Sequence, residues 1–407
     1  MTEQRIHETG QSPGVEAVRQ WKNQGNWEEI AKQLPEIQRP VQVAQADLAS
    51  EVGFALTQLG RLEEARALYT ELYEAAPSHR IASGLAYIHY LALLQHKIKK
   101  PRLNDPESWR RGFERWIAEA LRLEPKSLKD KYRLAVYHAS ILAQKDAVAL
   151  RLFREVIGLF EALPEEVRNE QHRYFKTYVM ALYGAARSAY RLKRYEDARR
   201  YIYRCIRVDK NRNHQEPLFK FFLAGKVLFA LGEHADAERA LRIALEHARH
   251  REHDFVYALL AEIALATNRP ADAVNWLESN VRPHHRKPYI WRLLGDAELA
   301  RGERRRALKL YKSSLLKDHV GRHLTLFKMG QIYESIREFG EARRCYEQAA
   351  DFRRRRYVTE YPEALEALAK LCEQQGDIEG ARNAYKRMAL LPTFADRAQA
   401  ELARLAG

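Results

Sequence analysis

The sequence predicts an all-α chain built as a solenoid of about nine tandem helix-turn-helix units. Three observations lead there. First, the chain is rich in Ala, Leu, Glu and Arg, which are good helix formers, and holds only 14 prolines and 19 glycines in 407 residues. Second, an alanine recurs at Ala65, Ala198, Ala237, Ala273, Ala307, Ala342 and Ala381, and successive anchors from Ala198 onward lie 34 to 39 residues apart. Twelve residues before each stands a small residue (Gly53, Ala186, Gly225, Ala261, Gly295, Gly330, Ala369), and four after it a large apolar one (Tyr69, Ile202, Leu241, Leu277, Tyr311, Tyr346, Tyr385). Third, the position five before the anchor is Gly60, Gly232, Gly302 or Gly376, with Asn268 in a further unit. Gly or Asn there closes a helix in the left-handed conformation. The small residue lets two antiparallel helices approach, and the large one fills the space beside them. Such a hairpin cannot bury its apolar face alone, so it must stack on neighbours.

Taken in order, residues 1–14 are expected to be disordered and residues 15–44 to form an N-terminal capping half-unit, with Trp21, Trp27 and Ile30 as its apolar contacts. Residues 45–157 read as repeat units interrupted by an insertion near 96–107, where the polar, proline-bearing stretch His96–Glu107 predicts a loop between helices over Ile81–Leu94 and Trp109–Leu123. The unit anchored on Ala149 and Phe153 carries Tyr137 where a small residue is expected. Residues 158–177 form an irregular helical spacer, either a longer helix or a break at Pro164. A regular array follows over 178–391, and residues 392–407 are expected to form a C-terminal capping helix.

The net charge is +15. It is concentrated between residues 81 and 360, while both ends are slightly acidic, which implies attraction to something anionic or a basic solvated surface. No N-terminal apolar stretch resembles a secretory signal, and the most apolar window, Phe219–Leu231, is too short to span a bilayer and contains two lysines. Cys205, Cys345 and Cys372 lack metal-type spacing and read as reduced thiols, so the expected location is cytoplasmic without membrane insertion. His247, His250 and His253, like the pair His284–His285, fall near turns between units and read as exposed turn residues, with no acidic or cysteine cluster to complete a metal site. There is no phosphate loop, nucleophile elbow, HExxH or dinucleotide fingerprint. The expectation is a protein that is not an enzyme and needs neither cofactor nor metal.

Trp291, Leu294, Gly295, Ala307 and Tyr311 in one copy, Gly330, Tyr333, Ala342, Tyr346 and Ala349 in the next, and Gly53, Gly60, Ala65, Tyr69 and Pro77 in an early one make the chain resemble the tetratricopeptide repeat family over about residues 45–391. The resemblance implies a right-handed superhelix whose first helices line a concave groove. Carried over position by position, it places Asp47, Glu51 and Phe54 early in that groove, then Tyr183, Arg187, Tyr190, Arg191, Phe222 and Lys226. Later units contribute Glu262, Tyr289, Arg292, Asp296, Phe327, Lys328, Gln331 and Glu334, and finally Glu363, Glu366 and Lys370.

The function it implies is a scaffold or adaptor that holds one or more partner proteins within an assembly. The mixture of cations and rings in the central stretch suits an acidic segment with aromatic or aliphatic anchors. The Asn/Lys/Arg pattern by which some relatives clamp a C-terminal carboxylate is not found. The alternative is a nucleic-acid-binding (RNA) repeat protein. It would use Arg304, Arg305 and Arg306, which begin a second helix against its dipole, and the cluster Arg353, Arg354, Arg355 and Arg356, expected in a linker between units. The sequence does not specify an oligomeric state.

Overall fold

A computed structural model describes residues 15–98, 103–142, 145–248 and 253–406. The chain divides into two compact units, residues 1–223 and 224–407. Among the described residues every regular element is a helix. The segment 1–14, expected to be disordered, lies outside the described residues.

In the N-terminal unit, α1 (Val15–Gln24) and α2 (Trp27–Ala31) precede α3 (Ala46–Gln58) and α4 (Leu62–Ala75). Next come α5 (His79–Ile98), α6 (Pro106–Leu123), α7 (Leu128–Val136) and α8 (Asp146–Glu161), then α9 (Phe175–Arg191) and α10 (Tyr195–Val208). Helix α11 (Pro217–Ala230) starts in this unit and ends in the next. The C-terminal unit continues with α12 (His234–Glu246), α13 (Asp254–Ala266), α14 (Pro270–Asn280), α15 (Pro288–Ala300) and α16 (Arg304–Leu315). It is completed by α17 (Arg322–Ser335), α18 (Phe339–Tyr357), α19 (Pro362–Gln374), α20 (Ile378–Met388) and α21 (Ala395–Arg404). From α3 to α10 and again from α13 to α20 the helices pack two by two, and within each run every second helix also touches the first helix that follows it, as α4 does α5 and α18 does α19. This is a helical repeat solenoid.

The recurring residues do what their chemistry requires. A Cβ placed on Gly53 or Gly84 would collide with the ring of Tyr69, one on Gly295 with Tyr311, and one on Gly330 with Tyr346. Each of those rings is buried, and its hydroxyl returns to the first helix of its own hairpin. Tyr69 donates to the Ser50 carbonyl at 3.0 Å, Tyr311 to Asp296 at 2.6 Å and Tyr346 to Glu334 at 2.6 Å. Gly60, Gly232, Gly302 and Gly376 have φ of 77°, 81°, 85° and 74°, and Asn268 has 56°. Lys193 (58°) and Arg337 (64°) occupy the same left-handed turn in the α9–α10 and α17–α18 hairpins, where a side chain costs energy. Lys193→Gly and Arg337→Gly should therefore each stabilise their hairpin by roughly 0.5–1 kcal/mol, the relief of strain less the entropy of a more flexible unfolded chain. Thermal unfolding measured beside Arg305→Gly, a helical control expected to destabilise, checks this.

Three stretches differ from the sequence expectation. Of the loop predicted over 96–107, residues up to Ile98 belong to α5 and those from Pro106 to α6, with the Asp105 side chain accepting from Ser108 N at 3.0 Å as the cap, while residues 99–102 lie outside the described residues. Tyr137, at the close-packing position, is fully buried and begins a π-helical turn, Tyr137–Ile141, that extends α7. The wider turn makes room for the phenol, whose ring lies tilted against that of Phe113 with centres 4.4 Å apart and whose hydroxyl donates to Glu114 at 2.7 Å. Finally, Arg353–Arg356 are not a linker. Helix α18 continues to Tyr357 and stops at Val358 (φ 54°), and the arginines occupy its last turns, where they complement the helix dipole.

Between α8 and α9 the chain passes Pro164 and a short 3₁₀ turn, Glu165–Val167. Cys205, Cys345 and Cys372 are buried and unbonded to one another, and burial pushes the Cys205 thiol up to about 12. Among the described residues no helix is long and apolar enough to cross a membrane, and no group of His, Cys, Asp and Glu is placed to hold a metal ion. His250 lies outside the described residues.

Candidate partner-binding faces

In the N-terminal unit the first helices lie against one another, α3 on α5, α5 on α7 and α7 on α9, so their outward side chains share one wall. A hollow of about 460 Å³ opens in it, lined by Lys22, Glu51, Phe54, Arg80, Tyr87 and Arg133 among others, with Lys129, Arg173 and Tyr174 at one end. Its floor is built around Asp130, which is fully buried. That carboxylate accepts from Ser127 Oγ at 2.6 Å, Ser83 Oγ at 2.7 Å and Arg133 Nη1 at 2.8 Å, and pairs with His79 Nε2 at 2.8 Å. Burial alone would push its carboxyl up, but the Ser127 hydrogen bond and the Arg133 guanidinium outweigh it and hold the group below its ordinary range. Arg133 in turn lies 4.6 Å over the Tyr87 ring.

The remaining charges of this hollow fall into three sets. Glu124 pairs with His79 Nδ1 at 2.7 Å. Glu51 neutralises Lys22 at 2.7 Å and Arg80 at 2.8 Å. Lys129 and Arg173 instead lie over the ring of Tyr174, at 5.8 and 4.6 Å from its centre. Among the described residues neither has a carboxylate within ion-pairing distance. Glu51 and Phe54 are among the positions expected in the groove, and both line this hollow. Lys129, Arg173 and Tyr174 are not, because Lys129 sits in the first turn of α7 and the other two in the irregular segment before α9, where the repeat pattern assigns no position.

The central group expected in the groove is turned largely onto the protein itself. Arg187 Nη2 donates to Ser140 Oγ at 2.8 Å, and Arg191 Nη1 donates to the Ala139 carbonyl at 3.0 Å and reaches Asp146 at 3.4 Å. Both arginines thus clasp the π-helical turn, whose backbone ladder is locally irregular. Tyr190 packs on Tyr195 with ring centres 5.6 Å apart, Tyr183 is half-buried with its phenol pushed up by burial, and Phe222 is half-buried on α11.

In the C-terminal unit α13 touches α15, and the predicted wall residues alternate in sign. Lys328 pairs with Asp296 at 2.7 Å, and Asp296 also accepts from Tyr311. Arg292 reaches Asp318 at 3.3 Å. Loss of surrounding water raises the Glu262 carboxyl against the pull of Lys226 and Arg292. Tyr289 is half-buried, with its phenol raised by burial and by Asp254, and Gln331 is exposed.

Of the arginines weighed for nucleic acid, Arg304 and Arg305 are exposed, while Arg306 pairs with Glu278 at 2.7 Å and Glu298 at 3.0 Å. Successive residues on a helix point about 100° apart, so the run 353–356 faces several directions. Arg353 is half-buried beside His323, Arg354 is 3.7 Å from Glu360, Arg355 donates to the Asp351 carbonyl, and Arg356 donates to that of His319.

Tetratricopeptide repeat models match residues 48–79, 222–282 and 327–404. Among solved structures, the chain is similar to the C-terminal part of a TPR repeat-containing protein from Cytophaga hutchinsonii, at 19% identity, over 67% of this chain and 99% of that one, with a TM-score of 0.45. It is similar to yeast Tom70 at 16% identity, over 95% of both chains, with a TM-score of 0.41. A human IFIT1 dimer with PPP-AAAA is similar at 14% identity, over 91% of this chain and 80% of that one, with a TM-score of 0.44. No curated protein sequence matches the chain. The matched repeat segments and the helical hairpins that fill the described residues make this chain a member of the tetratricopeptide repeat family.

Proposed function

We propose that the protein is a non-catalytic scaffold that holds a partner protein, and that the hollow of the N-terminal unit receives an acidic segment of that partner carrying an aromatic or aliphatic anchor. The observation that carries this reading is the pair Lys129 and Arg173 on the Tyr174 ring, cationic and without a carboxylate, at the edge of a hollow that also presents Phe54 and Tyr87. A carboxylate arriving there gains two charge-assisted contacts, and the rings offer apolar area for the neighbouring side chain. Asp130 and its partners hold Arg133, Ser83 and His79 in place before binding, so little side-chain entropy is lost on association. The chain's net charge of +15 favours encounter with an acidic partner.

Selection from a random peptide library on the full-length chain tests the reading. Enrichment of peptides that combine Asp or Glu with an aromatic or large aliphatic residue, lost in a Lys129→Glu, Arg173→Glu variant, is the expected result. Enrichment of basic peptides, of none at all, or of peptides retained equally by that variant would overturn it.

A further inference from the structure

The C-terminal unit contains a larger hollow, of about 810 Å³, in whose lining the repeat pattern assigns only Tyr289 and Arg292 to the groove. It lies between the start of α15, the segment 317–321 that joins α16 to α17, and the end of α18. Asp318 is the one carboxylate in its lining, and it is already occupied. It is nearly buried, accepts from Val320 N at 2.9 Å and Gly321 N at 2.6 Å, and faces Arg292 at 3.3 Å. Lys287, also in the lining, pairs with Asp254 at 2.8 Å. Among the described residues, the other two cations of the lining, Lys317 and Arg353, have no carboxylate within ion-pairing distance.

Arg353 is held in an unusual setting. Its Nη1 lies 3.1 Å from His323 Nε2, and its guanidinium lies 5.3 Å over the Tyr361 ring. A guanidinium does not lose its proton, so it must be the donor in that contact, and the imidazole nitrogen the acceptor. The His323 proton is therefore on Nδ1. His323 is 5% exposed, and its Nδ1 meets no acceptor at full hydrogen-bonding geometry, the Val320 carbonyl drawing on it only weakly; Arg353 Nε is likewise buried without an acceptor. Burial, Arg353 and Arg292 all hold the imidazole below its ordinary range and keep it neutral. Buried donors left without acceptors are costly, and one on His323 with another on Arg353, itself an unneutralised cation like Lys317, marks a place that favours an acceptor. The rest of the wall is carbon-rich, from Pro288, Tyr289, Val320, Leu324 and Tyr357.

We infer that this hollow binds an oxyanion, a phosphoryl or carboxylate group, carried on an aromatic body. Arg353 and Lys317 neutralise the charge, a small shift of the side chains brings the buried His323 and Arg353 N–H donors to the anion, and Tyr289, Tyr357 and Leu324 pack against the ring. The site is independent of the partner hollow in the N-terminal unit, and either could exist without the other.

Calorimetric titration of the full-length chain with phenyl phosphate, benzoate and inorganic phosphate tests it. At least one aryl oxyanion should bind about tenfold or more tightly than inorganic phosphate, and the tighter of the two identifies the oxyanion. Arg353→Gln should weaken that binding by about tenfold or more, and Lys317→Gln by several-fold, as expected for losing charge-assisted hydrogen bonds. Arg355→Gln, on the same helix but bonded to its own backbone, should bind as the parent does. If Arg353→Gln lowers the unfolding midpoint so far that the chain is not folded, Lys317→Gln decides the matter. Equal affinity for inorganic phosphate and the aryl oxyanions, absence of binding at millimolar concentration, or undiminished binding by the deciding variant would overturn the assignment.

Discussion

Asp209→Ala should destabilise the N-terminal unit by about 3–5 kcal/mol, a loss typical of an ion buried without its partner. Lys220 is 2% exposed and Asp209 is fully buried, and they meet at 2.9 Å. The ammonium is saturated, donating also to the Asp209 carbonyl at 3.0 Å and to Asn213 Oδ1 at 3.1 Å. The carboxylate is equally committed, accepting from His214 N at 2.8 Å and Gln215 N at 3.0 Å. Together they fix the segment between α10 and α11. Removing the carboxylate strands an ammonium that water cannot reach. Lys220→Met should cost less, since the carboxylate keeps its two backbone donors. The Asp209→Asn, Lys220→Met double variant should recover much of the loss, because removing both charges also removes their desolvation cost. Repeat arrays unfold segment by segment, so hydrogen exchange at the His214 and Gln215 amides should be read beside the thermal midpoint. Unchanged exchange in Asp209→Ala would show that the pair contributes nothing to this turn.

Tyr137→Ala should cost about 3–5 kcal/mol, although it places a small residue where most other hairpins have one. A reading from the repeat pattern alone would expect the change to regularise the helix and stabilise it. The surroundings argue otherwise. The phenol is fully buried against Phe113, which is itself fully buried and packs on Tyr90 at 6.3 Å. Alanine would leave a cavity that long helices α5 and α6 cannot close without shifting their shared core. Tyr137→Phe keeps the packing and loses only the hydrogen bond to Glu114, and should cost about 1 kcal/mol. Denaturant unfolding of the three proteins separates the readings: the order parent, Phe, Ala in falling stability supports the packing account, and a stabilised Ala variant contradicts it.

The two cases show where the sequence informs and where it stops. Gly60, Gly232, Gly302, Gly376 and Asn268 could be read as helix ends because their backbone conformation restricts the residue type. Lys193 and Arg337 adopt the same conformation with side chains that announce nothing. The close approach of Gly295 to Tyr311 and of Gly330 to Tyr346 was legible because both partners recur at fixed spacing. The length of α18 was not, since no breaker precedes Val358 and a run of arginines fits a helix end as well as a linker.

At the candidate site, positions on first helices carried over from the resemblance, but their partners did not. Arg187 and Arg191 bond to residues about 50 positions away in sequence, on a π-helical turn that only the folded chain reveals. Lys129, Arg173 and Tyr174 lie outside the regular positions of the repeat, and their meeting depends on how the spacer after Pro164 returns to α9.

The central claim is that the N-terminal hollow holds an acidic segment through Lys129 and Arg173. The most direct measurement is the affinity of the best library-selected acidic peptide for three full-length proteins. These are the parent, Lys129→Glu with Arg173→Glu, and Arg304→Glu with Arg305→Glu, each verified as folded. The account predicts a loss of about ten- to a hundredfold in the first variant, where attraction becomes repulsion, and little change in the second, whose net charge is altered equally. Equal losses in both variants, or a larger loss in the Arg304, Arg305 variant, would place the acidic partner elsewhere and contradict the claim.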